Sequence, residues 1–333
     1  MKKLLLASLF LALAFSTSAQ TNNFYFDFGR HDNTNGHATA NPDANGNYWN
    51  NIGTVTNGFS LPNLINSINI TSSYSLVVSG AGFDFNGILN GGLRTPFASQ
   101  FSGNEDFAIN TVTEDYFFTT LASNGPSVEF SGLNSLKKYR FKIFGCRNTN
   151  SLRTSQYTLQ GAGSAVTGTL NTSSVAGLGG IVYISSTVTY PTTLNIDYKL
   201  ASETGFTQAV TFYGNNSSAY YSDYVLPDAN NKIKLSLTVV TGGFAYINAI
   251  KMEEYDVSTN NITPSDNVNI KINKAQGKVL IDGTCSKVDI YTVFGVIVLT
   301  YNNMSDSEID ITKLNKGIYV LVIDGKNRFK FSY

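Results

Sequence analysis

The 333-residue sequence predicts an all-β chain: an antiparallel two-sheet β-sandwich of jelly-roll type, followed by a small Ig-like β-sandwich. Short runs of alternating apolar and polar residues recur along the whole length, the period-2 signature of half-buried strands. The runs are separated by loops rich in Gly, Asn and Ser (29 Gly and 37 Asn), residues that favour turns. No long segment keeps a helical period, so a doubly wound nucleotide-binding fold is excluded.

Taken in order, Phe24–Gly29 places Phe24, Phe26 and Phe28 on one face and Tyr25 and Asp27 on the other. A helix is predicted near Leu61–Ser67, where Leu61, Leu64, Ile65 and Ile68 fit helical spacing. Strands follow at Tyr74–Val78, Asp115–Thr120 and Ser127–Phe130. The run KKYRFKIFG sets Tyr139, Phe141 and Ile143 against Arg140, Lys142 and Phe144. Gln156–Leu159, Ile181–Val188, Leu194–Tyr198, Lys232–Val240 and Phe244–Met252 complete the first domain, bounded at 20–256. Gly161-Ala162-Gly163 lies between strands and opens no helix, so it is a loop and not a phosphate cradle.

The first nineteen residues read as a secretory signal peptide. Lys2 and Lys3 precede an uncharged apolar stretch, Leu4–Phe15, too short to span a bilayer, and Thr17-Ser18-Ala19 supplies small residues for cleavage after Ala19. A linker is expected at 257–268 and a second domain at 269–333. In the latter, Asn269–Ile272 and Lys278–Ile281 read as strands, Gly295 as a hairpin turn or bulge, and Ile318–Ile323 as a strand buried on both faces. The two cysteines, Cys146 and Cys285, fall in different domains and are expected to be reduced, buried fillers. With two Cys and only His31 and His37 as histidines, a structural zinc site is not expected.

Net charge is zero overall, but residues 20–268 hold 12 Lys+Arg against 17 Asp+Glu. A mildly acidic body disfavours nucleic acid as a partner, because phosphate binding needs a basic surface. No transmembrane segment is expected, since no run reaches the length needed to cross a bilayer.

Two parts of the chain resemble known families. Strand–Phe294-Gly295–strand, then Ile309-Asp310-Ile311-Thr312-Lys313-Leu314, then Lys316-Gly317-Ile318-Tyr319-Val320-Leu321-Val322-Ile323, resembles the C-terminal sorting domain of the type IX secretion system. The resemblance implies contact with the type IX machinery, a Bacteroidetes-type Gram-negative host, and secretion or outer-membrane surface display after the signal peptide and sorting domain are removed. In the first domain, Phe26-Asp27-Phe28-Gly29, Lys138–Gly145, Gln156-Tyr157-Thr158-Leu159, Leu170-Asn171-Thr172-Ser173 and Ala245–Ile250 resemble galactose-binding-like, malectin-like β-sandwich modules. Many such modules bind glycans.

The densest polar segment is Arg30–Asn51. Sugar recognition needs planar polar groups for hydroxyls and an aromatic face for the ring C–H side. Asp27, His31, Asn47, Arg94, Arg147 and Arg153 are candidates for the first role, Tyr48 and Trp49 for the second. Asn, Asp and Gly are equally turn formers, Trp49 reads equally as a core residue opening a strand, and each Arg as a solvated surface side chain. Tyr220–Tyr224 offers a further aromatic surface. Asn41, Asp43, Asn45 and Gly46 match the start of an EF-hand loop, but Ile52 stands where the bidentate Glu belongs, so that site is excluded. Related sandwiches carry structural Ca²⁺, so a different oxygen-lined site built from Asp32, Asn41, Asp43 and Asn45 stays open.

Catalysis is poorly served. Only His31 and His37 offer a base, and the carboxylate pairs Glu105/Asp106 and Glu114/Asp115 are adjacent, pointing to opposite sides of a strand. Convergence of distant acids, or of His31 with Asp27 or Asp43, is left open. The leading expectation is a non-catalytic carbohydrate-binding protein exported by the type IX route. A surface adhesin or structural protein that binds other proteins is the second expectation, and a polysaccharide-acting enzyme (esterase, lyase or glycosidase) the third.

Overall fold

The computed structural model describes residues 20–122, 125–185, 197–257, 269–273, 276–282, 285–292, 296–302, 308–325 and 327–333. The expected signal peptide, most of the expected linker, and Gly295 lie outside them. The described residues form two compact units that divide after Asp256.

The first unit is built on two large sheets. One has the strand order Tyr220–Tyr221, Lys137–Phe144, Ala249–Asp256, Gln20–Phe28, Trp49–Ile52. The other runs Val166–Ser173, Arg153–Gln160, Ile233–Thr241, Ser127–Ser131, Ser75–Ser79, Ser60–Leu61. Phe24, Phe26, Phe28, Tyr139, Phe141, Ile143 and Met252 from the first sheet meet Leu76, Val128, Phe130, Tyr157, Leu159 and Leu235 from the second, all buried in one cluster. The alternation within these strands therefore maps directly onto the inner face.

The outer face of the first sheet is also covered. Tyr25, Trp49, Phe144 and Ala249 form a second apolar cluster with Leu93, Phe97, Phe101, Phe107 and Val112, and with Val182, Ile184 and Phe212. The cover comprises three short 3₁₀ turns (Ile88–Asn90, Ala98–Gln100, Glu105–Phe107), one helical turn at Asn110–Thr113, and the hairpin Ile181–Ile184 with Gln208–Thr211. The sandwich thus carries a third, mostly irregular layer.

Among the described residues pairing is antiparallel with one exception: Gln20–Phe28 runs parallel to Trp49–Ile52, with Tyr25 opposite Trp49 and Asp27 opposite Asn51. A parallel neighbour needs a long crossover, and the polar segment between these strands is that crossover. The sequence places a helix at Leu61–Ser67, but the structure has none there. Asn63 and Asn69 take left-handed backbone angles, and Asn66 Oδ1 accepts the amides of Ile68 (3.2 Å) and Ile70 (2.8 Å). Local side-chain capping wins over the helical ladder at these positions. Asn248 interrupts the run predicted as one strand at Phe244–Met252, leaving Phe244–Ile247 in a small sheet with Tyr116–Thr120 and Asp84–Asn86. The end of the strand predicted over Ile181–Val188 and most of that over Leu194–Tyr198 lie outside the described residues; the described part of the latter, Asp197–Tyr198, is not strand.

The second unit pairs Asn269–Asn273, Lys278–Asp282 and Glu308–Asp310 in one sheet and Ile297–Asn302, Lys287–Thr292, Ile318–Ile323 and Asn327–Ser332 in another. Val279, Ile281, Val288, Ile290, Ile309 and Leu321 fill its core. In the strand expected to be buried on both faces, Tyr319, Leu321, Val322 and Ile323 are buried, but Ile318 is 48% exposed. Both cysteines are free and buried.

Candidate functional site

The crossover loop is held by its own side chains. Asp43 Oδ1 accepts the amides of Asn45 and Asn47, each at 2.8 Å, and its Oδ2 accepts Trp49 Nε1–H at 2.7 Å. Asn41 grips Trp49 from both sides, accepting its amide at 2.5 Å and donating to its carbonyl at 2.9 Å. The Trp49 ring is 1% exposed and packs 4.9 Å from the Tyr25 ring. Trp49 is therefore a core residue beneath the outer layer and presents no face to a sugar. Tyr48 and Asn47 are half-buried in the same loop.

The oxygens named for a calcium site are engaged within the loop itself. Asp32 Oδ1 accepts the amides of Thr34 and Asn35, and Oδ2 takes Arg30 Nε. The Asn35 and Thr34 amides, with Arg30, hold Asp32 below the usual carboxylate range. Asn41 and Asp43 are spent on Trp49 and on the loop amides. These oxygens cap turns and hold Trp49.

A different group does converge. Asp27, His31 and Asp115 each bring a ligating atom within 4.8 Å of the others. Asp27 ends the first strand on the outer face; His31 follows it in a turn, with φ +45; Asp115 lies between the Asn110–Thr113 turn and the Tyr116–Thr120 strand. Asp27 and Asp115 are fully buried. His31 Nε2 lies 3.3 Å from Asp27 Oδ2 and 3.9 Å from Asp115 Oδ2. Thr39 donates to Asp27 Oδ2 from its amide (3.0 Å) and hydroxyl (2.8 Å). The amides of Arg30 (2.8 Å) and His31 (3.3 Å) donate to Asp115 Oδ2. Asp27 Oδ1, Asp115 Oδ1 and His31 Nε2 are buried without a hydrogen-bond partner. Burial, and then the Asp27 charge, raise the Asp115 pKa well above the usual carboxylate range.

The surroundings hold Asp115 tightly. A Cβ on Gly29 would sit 2.0 Å from Asp115 Cγ, and one on Gly36 would sit 2.0 Å from Asp115 Oδ2, so no larger residue fits at either position. Asn248, fully buried, donates to the Asp115 carbonyl at 2.7 Å and accepts the Cys146 amide at 2.8 Å. Beside the cluster, Glu114 binds His37, so each of two adjacent carboxylates faces one of the chain's two histidines. Burial raises the Glu114 pKa, against the opposing pull of His37.

Arg147 and Arg153 converge separately. Both donate to the Tyr246 hydroxyl, and Arg147 reaches Asn90 Oδ1 at 3.3 Å. The Arg153 guanidinium lies 4.3 Å from the Phe244 ring centroid. Arg94 stands apart from this pair, half exposed, 3.4 Å from Asp197 Oδ1. The candidates therefore separate into a loop staple (Asn47, Tyr48, Trp49), an acidic–imidazole cluster (Asp27, His31), a paired arginine cluster (Arg147, Arg153) and a surface residue (Arg94). A cavity of about 260 Å³ opens beside Thr169, Leu170, Asn171, Leu178, Asn215, Ser217 and Ser218, none of them a candidate binding residue in the sequence.

A last feature is exposed. Along the outward side of Lys137–Phe144, Lys138 Nζ lies 4.1 Å from the Tyr224 ring centroid and the Arg140 guanidinium 3.6 Å from that of Tyr221. Tyr221 and Tyr224 are 38% and 42% exposed. Alternating cations and aromatic rings form a stripe at the edge strand Tyr220–Tyr221.

Compared with known proteins, residues 229–332 match the family described as the secretion system C-terminal sorting domain. The match begins inside the sandwich: Ile233–Thr241 and Ala249–Asp256 are interior strands of its two sheets. The sorting domain marks the chain for type IX export, to the cell surface or the medium. No helix among the described residues is long and apolar enough to cross a membrane. No curated protein matches the chain. Among solved structures, the adhesin domain of Epf from Streptococcus pyogenes is similar at 12% identity over 79% of this chain and 92% of that one, with a TM-score of 0.15, too low to carry an argument.

Proposed function

We propose that this type IX-exported chain is a non-catalytic carbohydrate-binding protein, displayed on the outer surface or released after its leader and sorting domain are removed. Its first unit would serve as a galactose-binding-like module. The observation that supports this reading is the exposed stripe of Tyr221, Tyr224, Lys138 and Arg140. Aromatic faces suit the C–H side of a sugar ring, and a guanidinium suits hydroxyls or a uronate carboxylate. The stripe also takes the aromatic role that the buried Trp49 cannot fill. Each hydroxyl contact exchanges a water for a protein partner and gains only about 0.5–1.5 kcal/mol, so weak affinity is expected.

A glycan array and calorimetry with the full chain test the reading. Binding to acidic or neutral glycans is expected in the wild type and lost in Tyr221→Ala/Tyr224→Ala. Absence of binding to any glycan, or undiminished binding in the double variant, overturns it.

One observation favours contact with other proteins as a second reading. The turn fixed by Asn66 presents Ile68 and Ile70, 68% and 58% exposed, to solvent. Isoleucines held outward on a capped turn suit an apolar protein surface. Self-association or protein capture abolished by Ile68→Ser/Ile70→Ser, with no dependence on sugar, distinguishes this reading from the first.

A further inference from the structure

We propose that Asp27, His31 and Asp115 form a binding site for one divalent first-row transition ion, with zinc as the best-suited cation. Asp27 and His31 come from one segment and Asp115 from a distant one, and their ligating atoms lie within 4.8 Å of one another. Both carboxylates are fully buried, and each keeps one oxygen without a hydrogen-bond partner, as does His31 Nε2. Native interiors satisfy nearly all buried polar atoms, so three unsatisfied atoms in one cluster point to a missing partner. That partner must accept electron pairs from two oxygens and one nitrogen.

Charge leads to the same conclusion. Two carboxylates and a neutral imidazole carry −2, which a divalent ion cancels inside a region of low dielectric. An imidazole nitrogen among the ligands disfavours Ca²⁺ and Mg²⁺, which prefer oxygen, and suits zinc. The outer shell is already in place. Thr39 holds Asp27, the Arg30 and His31 amides hold Asp115, and Asn248 fixes the Asp115 backbone. Such second-shell bonds orient ligands in metal sites. The ion would join the end of the first strand to the Asn110–Asp115 segment, pinning the outer layer to the sheet.

The test uses the untagged full chain after chelator treatment, with ZnCl₂ as the probe. Elemental mass spectrometry is expected to find one zinc per chain, and added zinc should raise the melting temperature. Calcium at the same concentration should do neither. Asp115→Asn and His31→Gln should each weaken zinc binding by roughly tenfold or more, while the exposed Asp84→Asn keeps it. Because Asp115 is fully enclosed and its variant is at risk of misfolding, the second readout is the visible spectrum of the Co²⁺-loaded chain. That spectrum should change on His31→Gln, a position nearer the surface. No bound zinc and no melting shift overturns the proposal. Tighter binding of calcium than zinc, or an unchanged Co²⁺ spectrum in His31→Gln, also overturns it.

Discussion

Trp49 shows how a residue type suited to ligand binding can be used for packing. Its indole N–H is bound by Asp43, its backbone by Asn41 and its ring by Tyr25. Trp49→Ala should destabilise the first unit by about 3–5 kcal/mol, the usual cost of emptying a large aromatic site. Trp49→Phe should cost less, chiefly through the Asp43 oxygen it leaves unpaired, at about 1–3 kcal/mol. Chemical denaturation measures both. Glycan binding by the folded Phe variant should match the wild type. The sequence showed that the Asp27–His31 pair was near in chain, four residues apart. It could not show Asp115, because that partner arrives from a connection more than eighty residues away in the chain, and the tight glycines that admit it look like ordinary loop residues.

At the scale of elements, the inner-face alternation of Gln20–Phe28 and Lys137–Phe144 was legible because a strand has one period and one buried face. The outer layer was not. Leu93, Phe97, Phe101, Phe107 and Val112 are buried from short turns whose spacing has no fixed period. The helix expected at Leu61–Ser67 failed for a related reason: asparagine side chains there satisfy the backbone that a helix would have used. Asn248 joins these irregular elements to the sheets. It donates to the carbonyls of Thr113 and Asp115 and accepts from the Cys146 amide. Asn248→Ala should cost at least about 2 kcal/mol, since each buried group left unsatisfied costs about 1–3 kcal/mol. Thermal melts should reveal it, and hydrogen exchange should localise the loss to the Asn110–Asp115 segment.

At the scale of the molecule, the sorting-domain match and the structural boundary differ. The match starts at Ala229, while the first unit runs to Asp256. Ile233–Thr241 lies between Arg153–Gln160 and Ser127–Ser131, and Ala249–Asp256 between Lys137–Phe144 and Gln20–Phe28. A chain ending after Asp256 should therefore fold cooperatively, whereas one ending at Ala229 should not. Circular dichroism and limited proteolysis of the two truncations check this. Processing that releases a folded sandwich must cut beyond Asp256.

The pairing of the first and last strands of the sandwich has one more consequence. Gln20 stands opposite Tyr255, and Asp27 opposite Ala249. Both ends of the unit's chain therefore lie at the same extremity of one sheet, with the Asp27 cluster about 23 Å along the strands from it. A chain moored downstream of Asp256 would be held by that extremity, and the opposite tip, where Asp27 and Asp115 meet, would be left farthest from the anchorage.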